Sequence, residues 1–539
     1  MSHSPTPAVT FAGATFAWPD GSPILDHTDA VIGTGRTGLI GDNGAGKSTV
    51  LHLITGDLTP TDGSVTRTGD LAHLPQQLTL RREMTVAQLL GIRGKLDALH
   101  AIESGDPDPR HFAVVGDDWD VDTRARALLD ATGLTTVGLD RAVGTLSGGE
   151  TVLTALIGVQ LADTPIVLLD EPTNNLDREA RIRLRDLVAG WTGTLIVVSH
   201  DVELLEQMDQ TVELRDRKLT VYGGPYSQFR ESVAREQAAA EQAVRTAEQT
   251  LRQEKKQRIE AETTLARRRS YADTDFRNKR RPKRIMNLRK SEAQVSAGKL
   301  RDNLSQSVDA AEKTLREQET RLRKEIHIRI DLPDPDVPAG RRLLEWIDAR
   351  GTAHVLQGPE RVALTGRNGV GKTRLLETLF DPAEERSPRL VAHTQRIGYL
   401  PQRLDHLDGD LDILDCVRQA VPEADPQQVR ANLARFLFTG HDIHRKVRDL
   451  SGGERFRVAL ARLLLAEPAH QLLLLDEPTN NLDLGTVDEV VSALDNYRGG
   501  LVVVSHDDAF LGRLGIDTRL EVTDGDQGPD MSRAICRVR

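Results

Sequence analysis

Residues 41–49 read GDNGAGKST, and residues 366–374 read GRNGVGKTR. Both stretches match the pattern G-x-x-x-x-G-K-[ST], in which glycines let successive backbone N–H groups turn towards a phosphate and the lysine reaches the β- and γ-phosphates. Apolar, strand-like residues precede each loop, and helix-like residues follow it. The sequence therefore predicts two α/β nucleotide-binding domains of the P-loop type in one chain.

The two phosphate loops are the first of five blocks that recur in the same order, which indicates a duplicated domain. The domain boundaries predicted from this repeat are 1–222 for copy one and 332–539 for copy two. The other recurring blocks are LPQ (74–76 and 400–402), LSGGE (146–150 and 450–454), LLDEPTNNLD (168–177 and 474–483) and VVSHD (197–201 and 503–507). Copy one has about 20 additional residues between LPQ and LSGGE, so we predict a small insertion at about 91–125.

The segment 223–331, between the copies, has a different composition. Residues 227–269 and 284–327 are rich in helix-forming residues, and Pro282 lies between them. We predict a long antiparallel α-helical hairpin whose arms of about 40 residues each extend about 60 Å at 1.5 Å per residue.

The overall composition excludes several classes of protein. The formal net charge is −11, so the chain as a whole is not a general nucleic-acid binder. Its two cysteines form neither a disulfide framework nor a metal site, which fits a reducing cytosol. The first residues lack the pattern of a secretory signal, and no apolar run approaches the roughly 20 residues that span a bilayer. We therefore expect a cytoplasmic protein without a membrane domain.

The repeated DEP tripeptides end strand-like apolar runs and supply candidate catalytic groups. Asp170 and Asp476 are predicted to hold Mg²⁺ through water, and Glu171 and Glu477 to act as general bases on an attacking water. A solvated acidic turn at the end of a strand is the alternative. The catalytic interpretation is preferred because a phosphate loop precedes the pair in each copy.

The LSGGE block, in this order with the other motifs, resembles the signature of ATP-binding cassette (ABC) proteins, and the resemblance covers both copies. It implies that the two cassettes face each other head to tail, with each ATP between the phosphate loop of one and the signature of the other. It also implies a switch role for His200 and His506 and a D-loop role for Asp177 and Asp483.

The resemblance assigns ATP and Mg²⁺ as ligands. The residues assigned to the nucleotide are Trp18, Gly41, Asn43, Gly44, Gly46, Lys47, Ser48, Thr49, Gln76, Ser147, Gly148 and Gly149 in copy one, and Gly366, Asn368, Gly369, Gly371, Lys372, Thr373, Arg374, Gln402, Ser451, Gly452 and Gly453 in copy two. Those assigned to the metal are Ser48, Gln76, Asp170, Thr373, Gln402 and Asp476.

The two copies depart from each other in two places. Trp18 can stack on adenine in copy one, whereas VPAGRRLLE (337–345) in copy two offers no aromatic residue, and Trp346 lies nearer its loop than Trp18 does. After the signature, copy two has arginines where copy one has Thr151, Leu153 and Gly158. Those arginines are Arg455, Arg457 and Arg462.

Two fused cassettes, a helical linker and no membrane segment together resemble the ABC-F family over essentially the whole chain. Members are ATPases that act on the ribosome, where the linker enters the tRNA exit site, and some confer antibiotic resistance. The resemblance thus implies contacts with ribosomal RNA and P-site tRNA, made by a monomer whose two cassettes pair within the chain. The alternatives are the energy subunit of an ABC exporter, a repair or chromosome-structuring ATPase, and a non-catalytic ATP-gated scaffold.

The basic tip of the hairpin, at about 267–290, fits a contact with RNA. From Arg267 to Arg301 there are 13 Lys/Arg and 3 Asp/Glu, and basic residues release the counterions that condense on RNA phosphates. A solvated helical spacer is the alternative. Tyr271 and Phe276 either stack on bases or cap the packing of the hairpin. The predicted RNA-binding residues are Arg277, Lys279, Arg280, Arg281, Lys283, Arg284, Arg289 and Lys290.

Overall fold

The computed structural model describes residues 7–76, 82–174, 176–277, 283–320, 322, 332–347, 353–380, 389–480, 482–525 and 528–534. The chain forms two compact units. One unit comprises Met1–Ser227 together with Ile326–Arg539, and the other comprises Gln228–Glu325. The first unit therefore contains both copies of the repeated domain, and the second consists of the helical linker.

Copy one consists of a six-stranded sheet, in the order β5-β6-β7-β3-β8-β9, and a three-stranded antiparallel sheet, in the order β2-β1-β4. Its elements are β1 (Pro7–Ala17), β2 (Pro23–Gly33), β3 (Arg36–Ile40), α1 (Lys47–Thr55), β4 (Asp62–Arg67), β5 (Leu71–Leu74), α2 (Val86–Leu89), α3 (Arg93–Glu103), α4 (Pro109–Val115), α5 (Val121–Ala131), α6 (Gly148–Leu161), β6 (Ile166–Asp170), α7 (Arg178–Ala189), β7 (Thr194–Val198), α8 (Val202–Leu205), β8 (Gln210–Arg215) and β9 (Lys218–Gly223).

The central strands of the larger sheet are buried on both faces, which explains their unbroken apolar sequences. Every residue of β6 (IVLLD) and of β7 (TLIVV) is buried, as expected for parallel strands covered by helices on one side and a second layer on the other. Neighbouring strands β3, β6 and β7 run parallel. Because the carboxyl ends of parallel strands meet at one edge, the phosphate loop after β3, the DEP motif after β6 and the SHD motif after β7 converge there.

The linker contains α9 (Tyr226–Arg277) and α10 (Lys283–Glu319), of 52 and 37 residues. Lys255 Nζ lies 2.9 Å from Glu312 Oε1. This ion pair joins a point 22 residues before the end of α9 to a point 29 residues after the start of α10, so the helices run antiparallel. Helix α9 extends beyond the predicted end at residue 269 because no glycine or proline occurs in the sequence that follows.

The tip of the hairpin falls partly outside the described residues. Lys279, Arg280, Arg281 and Pro282 lie in the undescribed stretch 278–282. Arg277, Lys283, Arg284, Arg289 and Lys290 lie in helices, and their side chains, like those of Tyr271 and Phe276, are outside the described set. The RNA-binding residues therefore remain predictions.

Copy two repeats the architecture of copy one, with a six-stranded sheet in the order β14-β15-β16-β12-β17-β18 and a three-stranded sheet in the order β11-β10-β13. Its elements are β10 (Arg342–Ile347), β11 (Ala353–Gln357), β12 (Arg361–Thr365), α11 (Lys372–Glu377), β13 (Arg389–Ala392), β14 (Ile397–Leu400), α12 (Ile413–Arg418), α13 (Pro426–Arg435), α14 (Gly452–Leu464), β15 (Leu472–Asp476), α15 (Leu484–Asp495), β16 (Gly500–Val504), α16 (Asp508–Arg513), β17 (Thr518–Gly525) and β18 (Gly528–Ala534).

The extra residues of copy one lie between two equivalent points of the copies. The isolated bridge Thr85–Ala142 spans 57 positions and its counterpart Asp412–Lys446 spans 34, a difference of 23. Helices α3 and α4 lie in this interval. None of the described helices combines the length and the apolar character that crossing a membrane requires.

Candidate nucleotide-binding sites

Each phosphate loop passes directly into a helix whose first residue is the loop's lysine. Helix α1 begins at Lys47 and α11 at Lys372, and the glycine before each has left-handed φ, 105° at Gly46 and 99° at Gly371. A Cβ at Gly46 would lie 2.4 Å from Cγ2 of Ile24, so no other residue fits there without displacing that side chain. The loop therefore leads its backbone N–H groups to a helix N-terminus, which favours an anion.

Both lysines fold back onto their own loops. Lys47 Nζ donates to the carbonyl oxygens of Gly41 (2.7 Å) and Asp42 (3.2 Å). Lys372 Nζ donates to those of Gly366 (2.7 Å) and Arg367 (3.0 Å). Burial lowers the pKa of both amines, because it disfavours their charged form. The backbone carbonyls that they contact are uncharged, and a phosphate entering the loop would supply an anionic partner.

The aspartates that end β6 and β15 are buried and fit a divalent cation. Asp170 is 7% exposed and Asp476 is 1% exposed. Within the described residues, Asp170 Oδ1 and both carboxylate oxygens of Asp476 lack a well-aligned hydrogen bond. Burial raises the pKa of Asp476. Buried carboxylate oxygens and the hydroxyl groups of Ser48 and Thr373 are the hard oxygen ligands that Mg²⁺ prefers, and Thr373 lies close enough to Asp476 to act on its pKa.

The glutamates after these aspartates adopt the same unusual backbone in both copies. Glu171 has φ 49° and Glu477 has φ 48°, the left-handed region that side-chain-bearing residues rarely occupy. Their N–H groups donate to Val198 (2.9 Å) and Val504 (2.8 Å). Burial raises the pKa of Glu171 to about 8, with Lys47 opposing the rise, and that of Glu477 to about 7, with Lys372 and then Arg181 opposing it.

A neutral histidine lies beside each glutamate. His200 Nε2 is 3.1 Å from Glu171 Oε1, and His506 Nε2 is 3.3 Å from Glu477 Oε1, without the alignment of a hydrogen bond. Burial lowers the pKa of His200 to about 3 and that of His506 to about 4. A carboxyl group whose pKa is near neutrality, held next to an uncharged imidazole, is suited to accept a proton from water.

A cavity of roughly 670 Å³ collects the predicted residues of the copy-two site. Leu176 of copy one also lines it, so the cavity lies at the junction of the copies. The predicted site residues in its wall are Asn368, Gly369, Gly371, Lys372, Thr373, Arg374, Gln402, Asp476, Glu477 and His506. In copy one, Ser48 and Thr49 lie in the first turn of α1, Gly44 has φ 82°, and Gln76 is exposed after β5.

Each copy contacts the phosphate loop of the other through its D-loop aspartate. Asp483 Oδ1 caps α15 by accepting from Thr486 N, and its Oδ2 accepts from Asn43 N, both at 2.7 Å. Asp177 caps α7 in the same way and accepts from Asn368 N at 3.3 Å. Two reciprocal bonds of this kind require the copies to face each other head to tail, with both sites at their interface.

The signature serines cap the helices that follow them. Ser147 Oγ accepts from Glu150 N (3.2 Å), and Ser147 N donates to Glu150 Oε2 (2.7 Å). Ser451 and Glu454 repeat this capping box in copy two. Ser147, Gly148, Ser451 and Gly452 are exposed, and Gly149 and Gly453 continue the first turns of α6 and α14. Their pairing with the nucleotide of the opposite copy stays a prediction.

The candidate adenine contacts differ between the copies. Trp18 follows β1 with a half-exposed indole, whose ring meets Phe16 edge-to-face at 5.4 Å. Strand β10 is the counterpart of β1, so the position matching Trp18 is 348, outside the described residues. Trp346 is 4% exposed and stacks on His354, so core packing occupies the ring and it is not the adenine partner.

Ionic contacts near the interface were not singled out by the motifs. Arg178 Nε donates to Asp508 Oδ2 of copy two at 2.8 Å. The signal available in the sequence was the unequal residues after the two DEPTNNLD blocks, RE against LG. Of the arginines noted after the copy-two signature, Arg455 donates to the carbonyl of Leu450 (3.3 Å), and Arg457 lies 3.8 Å from Glu489, so both bind within copy two.

Comparisons with known proteins agree with this geometry. The family model described as ABC transporter matches residues 32–174 and 353–480. The chain is 31% identical to the tylosin resistance ATP-binding protein TlrC of Streptomyces fradiae, over 97% of this chain and 99% of that one. It is 31% identical to the probable ATP-binding protein YheS of Escherichia coli K12, over 93% of this chain and 78% of that one.

Solved structures show the same fold at low sequence identity. The archaeal ribosome recycling factor aABCE1, in a complex with the ribosomal stalk protein aP1, matches with a TM-score of 0.57 at 17% identity, over 97% of this chain and 89% of that one. A structure described as RNase-L Inhibitor matches with a TM-score of 0.53 at 17% identity, over 98% and 86%. These matches confirm the predicted fold class of two α/β cassettes with a helical insert.

Proposed function

The chain belongs to the ATP-binding cassette family, in its ABC-F branch, and on that premise we propose that it hydrolyses ATP and uses the cycle to control its binding to the ribosome. ATP binding follows from the family. The observation that carries the catalytic part is the pair of reciprocal bonds from Asp483 to Asn43 N and from Asp177 to Asn368 N, because each site then depends on both copies. We expect it to act as a monomer, since both halves of each site are in one chain, and to do so in the cytoplasm.

The residues of each site divide the work of hydrolysis. The loop amides and Lys47 or Lys372 hold the phosphates. Asp170 with Ser48, or Asp476 with Thr373, would hold Mg²⁺, which would neutralise phosphate charge when bound. Glu171 or Glu477 orients the attacking water and accepts its proton at a carboxylate oxygen, because burial has brought the pKa of each close to neutrality.

Closure of the two copies links ATP to the ribosome. A ligand shifts an equilibrium only through its different affinity for the two states, and ATP bound between two faces favours the closed one. Hydrolysis removes that preference. The basic tip of the linker supports ribosomal RNA, together with P-site tRNA, as the partner, because it concentrates 13 basic residues against 3 acidic ones in a chain of net charge −11.

The test is a variant that binds ATP and does not cleave it. Glu171→Gln with Glu477→Gln keeps the shape of both side chains and removes the base, so it should remain on ribosomes when ATP is present. Co-sedimentation through a sucrose cushion measures this, with and without ATP. The parent chain with ATP is the control. Sedimentation free of ribosomes in the presence of ATP would contradict the proposal.

Within this function, similarity to a tylosin resistance protein over nearly the full length favours protection of the ribosome from an antibiotic. A general role in translation is the second candidate, favoured by the equal similarity to a relative named only as an ATP-binding protein. Minimal inhibitory concentrations for macrolides, lincosamides, streptogramins, pleuromutilins and phenicols in a sensitive host separate the two. A raised value for one class indicates protection, and an unchanged panel indicates the general role.

A further inference from the structure

The helices that follow the two D-loops carry different residues on the same face. In α7 the positions 178, 181 and 185, which lie one above another at spacings of three and four, are all arginine. The equivalent positions of α15, each 306 residues later, are Leu484, Val487 and Val491. The two ATP sites are therefore built against chemically different neighbours, although their motifs match.

The arginine face lies at the interface on the side of the copy-two site. Arg181 is 13% exposed, its Nε donates to Leu176 O at 3.2 Å, and its Nη1 lies 3.5 Å from Asp201, which is 7% exposed. Arg185 forms an ion pair with Glu203. These side chains enclose a space of about 10 Å³ together with His506, Asp507 and Asp508 of copy two, which leaves no room for a ligand among them.

The segment of copy two that meets these arginines also carries a site residue. Its His506 Nε2 lies 3.3 Å from Glu477 Oε1 and 3.0 Å from Lys372 Nζ. Two positions further on, Asp508 accepts from Arg178 and, through its other oxygen, from Arg519 Nη1 at 2.8 Å.

The equivalent segment of copy one is different in kind. There the switch histidine His200 is followed by Asp201 and Val202, so that Val202 occupies the position of Asp508 and no carboxylate is available for a cation opposite it. The position that corresponds to Arg178 on the other copy is Leu484. The ionic junction is thus specific to one of the two sites.

We propose that Arg181 of copy one is a positioning residue for the ATP site of copy two, where it holds the His506–Asp508 segment against Glu477, and that the copy-one site, with Val487 at the equivalent position, works without one. This inference rests on the ATP hydrolysis proposed above. Arg181 carries the effect rather than Arg178 because it is buried, whereas the Arg178 side chain is 63% exposed and an exposed ion pair contributes little. Truncating Arg181 would remove the cation that lies 3.5 Å from Asp201 and lines the same space as Asp507.

The experiment measures the sites one at a time in the full chain. Glu171→Gln leaves only the copy-two site able to hydrolyse ATP, and Glu477→Gln leaves only the copy-one site. Arg181→Met should lower kcat about tenfold in the first background with KM for ATP changed less than about twofold, because misplaced groups lower the rate of the chemical step. Arg181→Lys should recover part of the loss. In the second background Arg181→Met should change kcat less than about twofold.

Arg183→Met is the matched control, because Arg183 lies on the same helix and bonds to Glu179 of its own copy at 2.5 Å. Equal effects of Arg181→Met in both backgrounds, or none in either, would overturn the inference while the parent still hydrolyses ATP. A parent chain without ATPase activity would instead overturn the proposed function. Hydrogen–deuterium exchange of residues 505–510 without nucleotide tests the inference independently. Exchange should rise there in Arg181→Met and not in Arg183→Met, and an unchanged rate would contradict it.

Discussion

The residues that carry the chemistry are held in conformations that the fold alone would not select. Glu171 and Glu477 both have left-handed φ, which costs about 1–2 kcal/mol for a residue with a side chain. Both are also buried as carboxyl groups. The same strain at equivalent positions of two sequence-divergent copies points to function, since strained residues persist where the mechanism needs them.

Burial of these carboxyl groups predicts how stability depends on pH. Their pKa values, about 8 and about 7, are raised above the unfolded value, so the folded state prefers the protonated form. The stabilising contribution of the two carboxyl groups to the free energy of unfolding is fully present below about pH 4.5 and is lost as the pH rises towards 8. As the pH rises from 5 to 8, the stability of the Glu171→Gln, Glu477→Gln variant should therefore increase by about 1–3 kcal/mol relative to that of the parent, because only the parent has carboxyl groups to ionise.

The measurement is the difference in the midpoint of thermal unfolding between variant and parent, without nucleotide, at both pH values. For a domain of this size about 2–4 °C corresponds to each kcal/mol. Glu103→Gln, at an exposed position of α3, is the control and should show no such dependence on pH. A difference that is constant from pH 5 to pH 8 would mean that the two glutamates are ionised in the fold throughout.

The sequence predicts the role of a residue where a local motif defines it. It does not show contacts that join distant parts of the chain. The phosphate loops and the LPQ, DEP and SHD blocks are local patterns with a physical meaning, and ten of the residues that they predict lie in the wall of the copy-two cavity. The bond from Asn43 N to Asp483 joins residues 440 positions apart. Nothing local at Asn43 shows it. The adenine partner of copy two stays open, because the position that follows strand β10, residue 348, lies outside the described residues.

At the scale of elements, the linker helices show why a hairpin forms from a sequence with so few large apolar residues. Among the less exposed residues whose side chains are described, one row along α10 recurs at 304, 308, 311, 315 and 318, and one row along α9 at 237, 240, 244, 247, 251, 254 and 258. Alternating spacings of three and four are the seam of a coiled coil. The other, polar faces of the helices carry ion pairs between residues four positions apart, such as Arg252 with Glu248.

A charge placed in this seam should unfold the hairpin locally and leave the cassettes intact. Val308 is 4% exposed, so Val308→Asp buries an unpaired carboxylate and should destabilise the linker by about 3 kcal/mol or more. Circular dichroism at 222 nm during heating should show a new early transition. The ATPase rate measured without ribosomes should stay within about twofold.

Ser305→Asp places the same charge on the exposed face of α10, three residues earlier, and serves as the control. It should leave the melting curve unchanged. If Val308→Asp melts together with the rest of the chain in one transition at the parent's temperature, the seam does not hold the hairpin.

Among the features of the helices and strands, the lengths of the linker helices are the least well predicted from the sequence. The arms were predicted at about 40 residues, and α9 has 52. The helix-forming composition predicts the first arm over residues 227–269, whereas α9 continues to Arg277. A helix ends where a residue cannot continue it, and residues 270–277 contain neither glycine nor proline. Composition thus predicted the existence of the hairpin and not its extent.

At the scale of the whole molecule, the two copies share a fold and differ in what they present to each other. Both D-loops cap a helix and bind the opposite phosphate loop, which keeps the two sites geometrically alike. The residues behind the D-loops are ionic at one site and aliphatic at the other. If both sites hydrolyse ATP as proposed, a molecule built this way can do so at two different rates, which a symmetric dimer of identical cassettes could not do.

Charge is distributed just as unevenly, and this predicts how ribosome binding responds to salt. The net charge is −11, and residues 267–301 alone contribute about +10, so the remainder carries about −21. Because an acidic body is repelled by RNA, the proposed contact with ribosomal RNA should concentrate at the hairpin tip. Neutralising four tip residues should reduce the slope of log K against log salt by about 3, at roughly 0.7–0.9 per phosphate. The tip residues to be changed to glutamine are Arg280, Arg281, Lys283 and Arg284.

The control for this prediction removes the same number of charges from the same hairpin, away from its tip. Its four exposed residues, also changed to glutamine, are Arg252, Lys256, Lys313 and Arg316. Binding to purified ribosomes would be measured between 50 and 200 mM salt, and ATP affinity in parallel. If the hairpin is a solvated spacer, only net charge matters, and the two variants should show equal slopes of log K against log salt. If the tip contacts RNA, only the first variant should lose slope. ATP affinity should be unchanged in both. A tip variant that also loses ATP affinity would show that the stretch serves the structure of the chain instead.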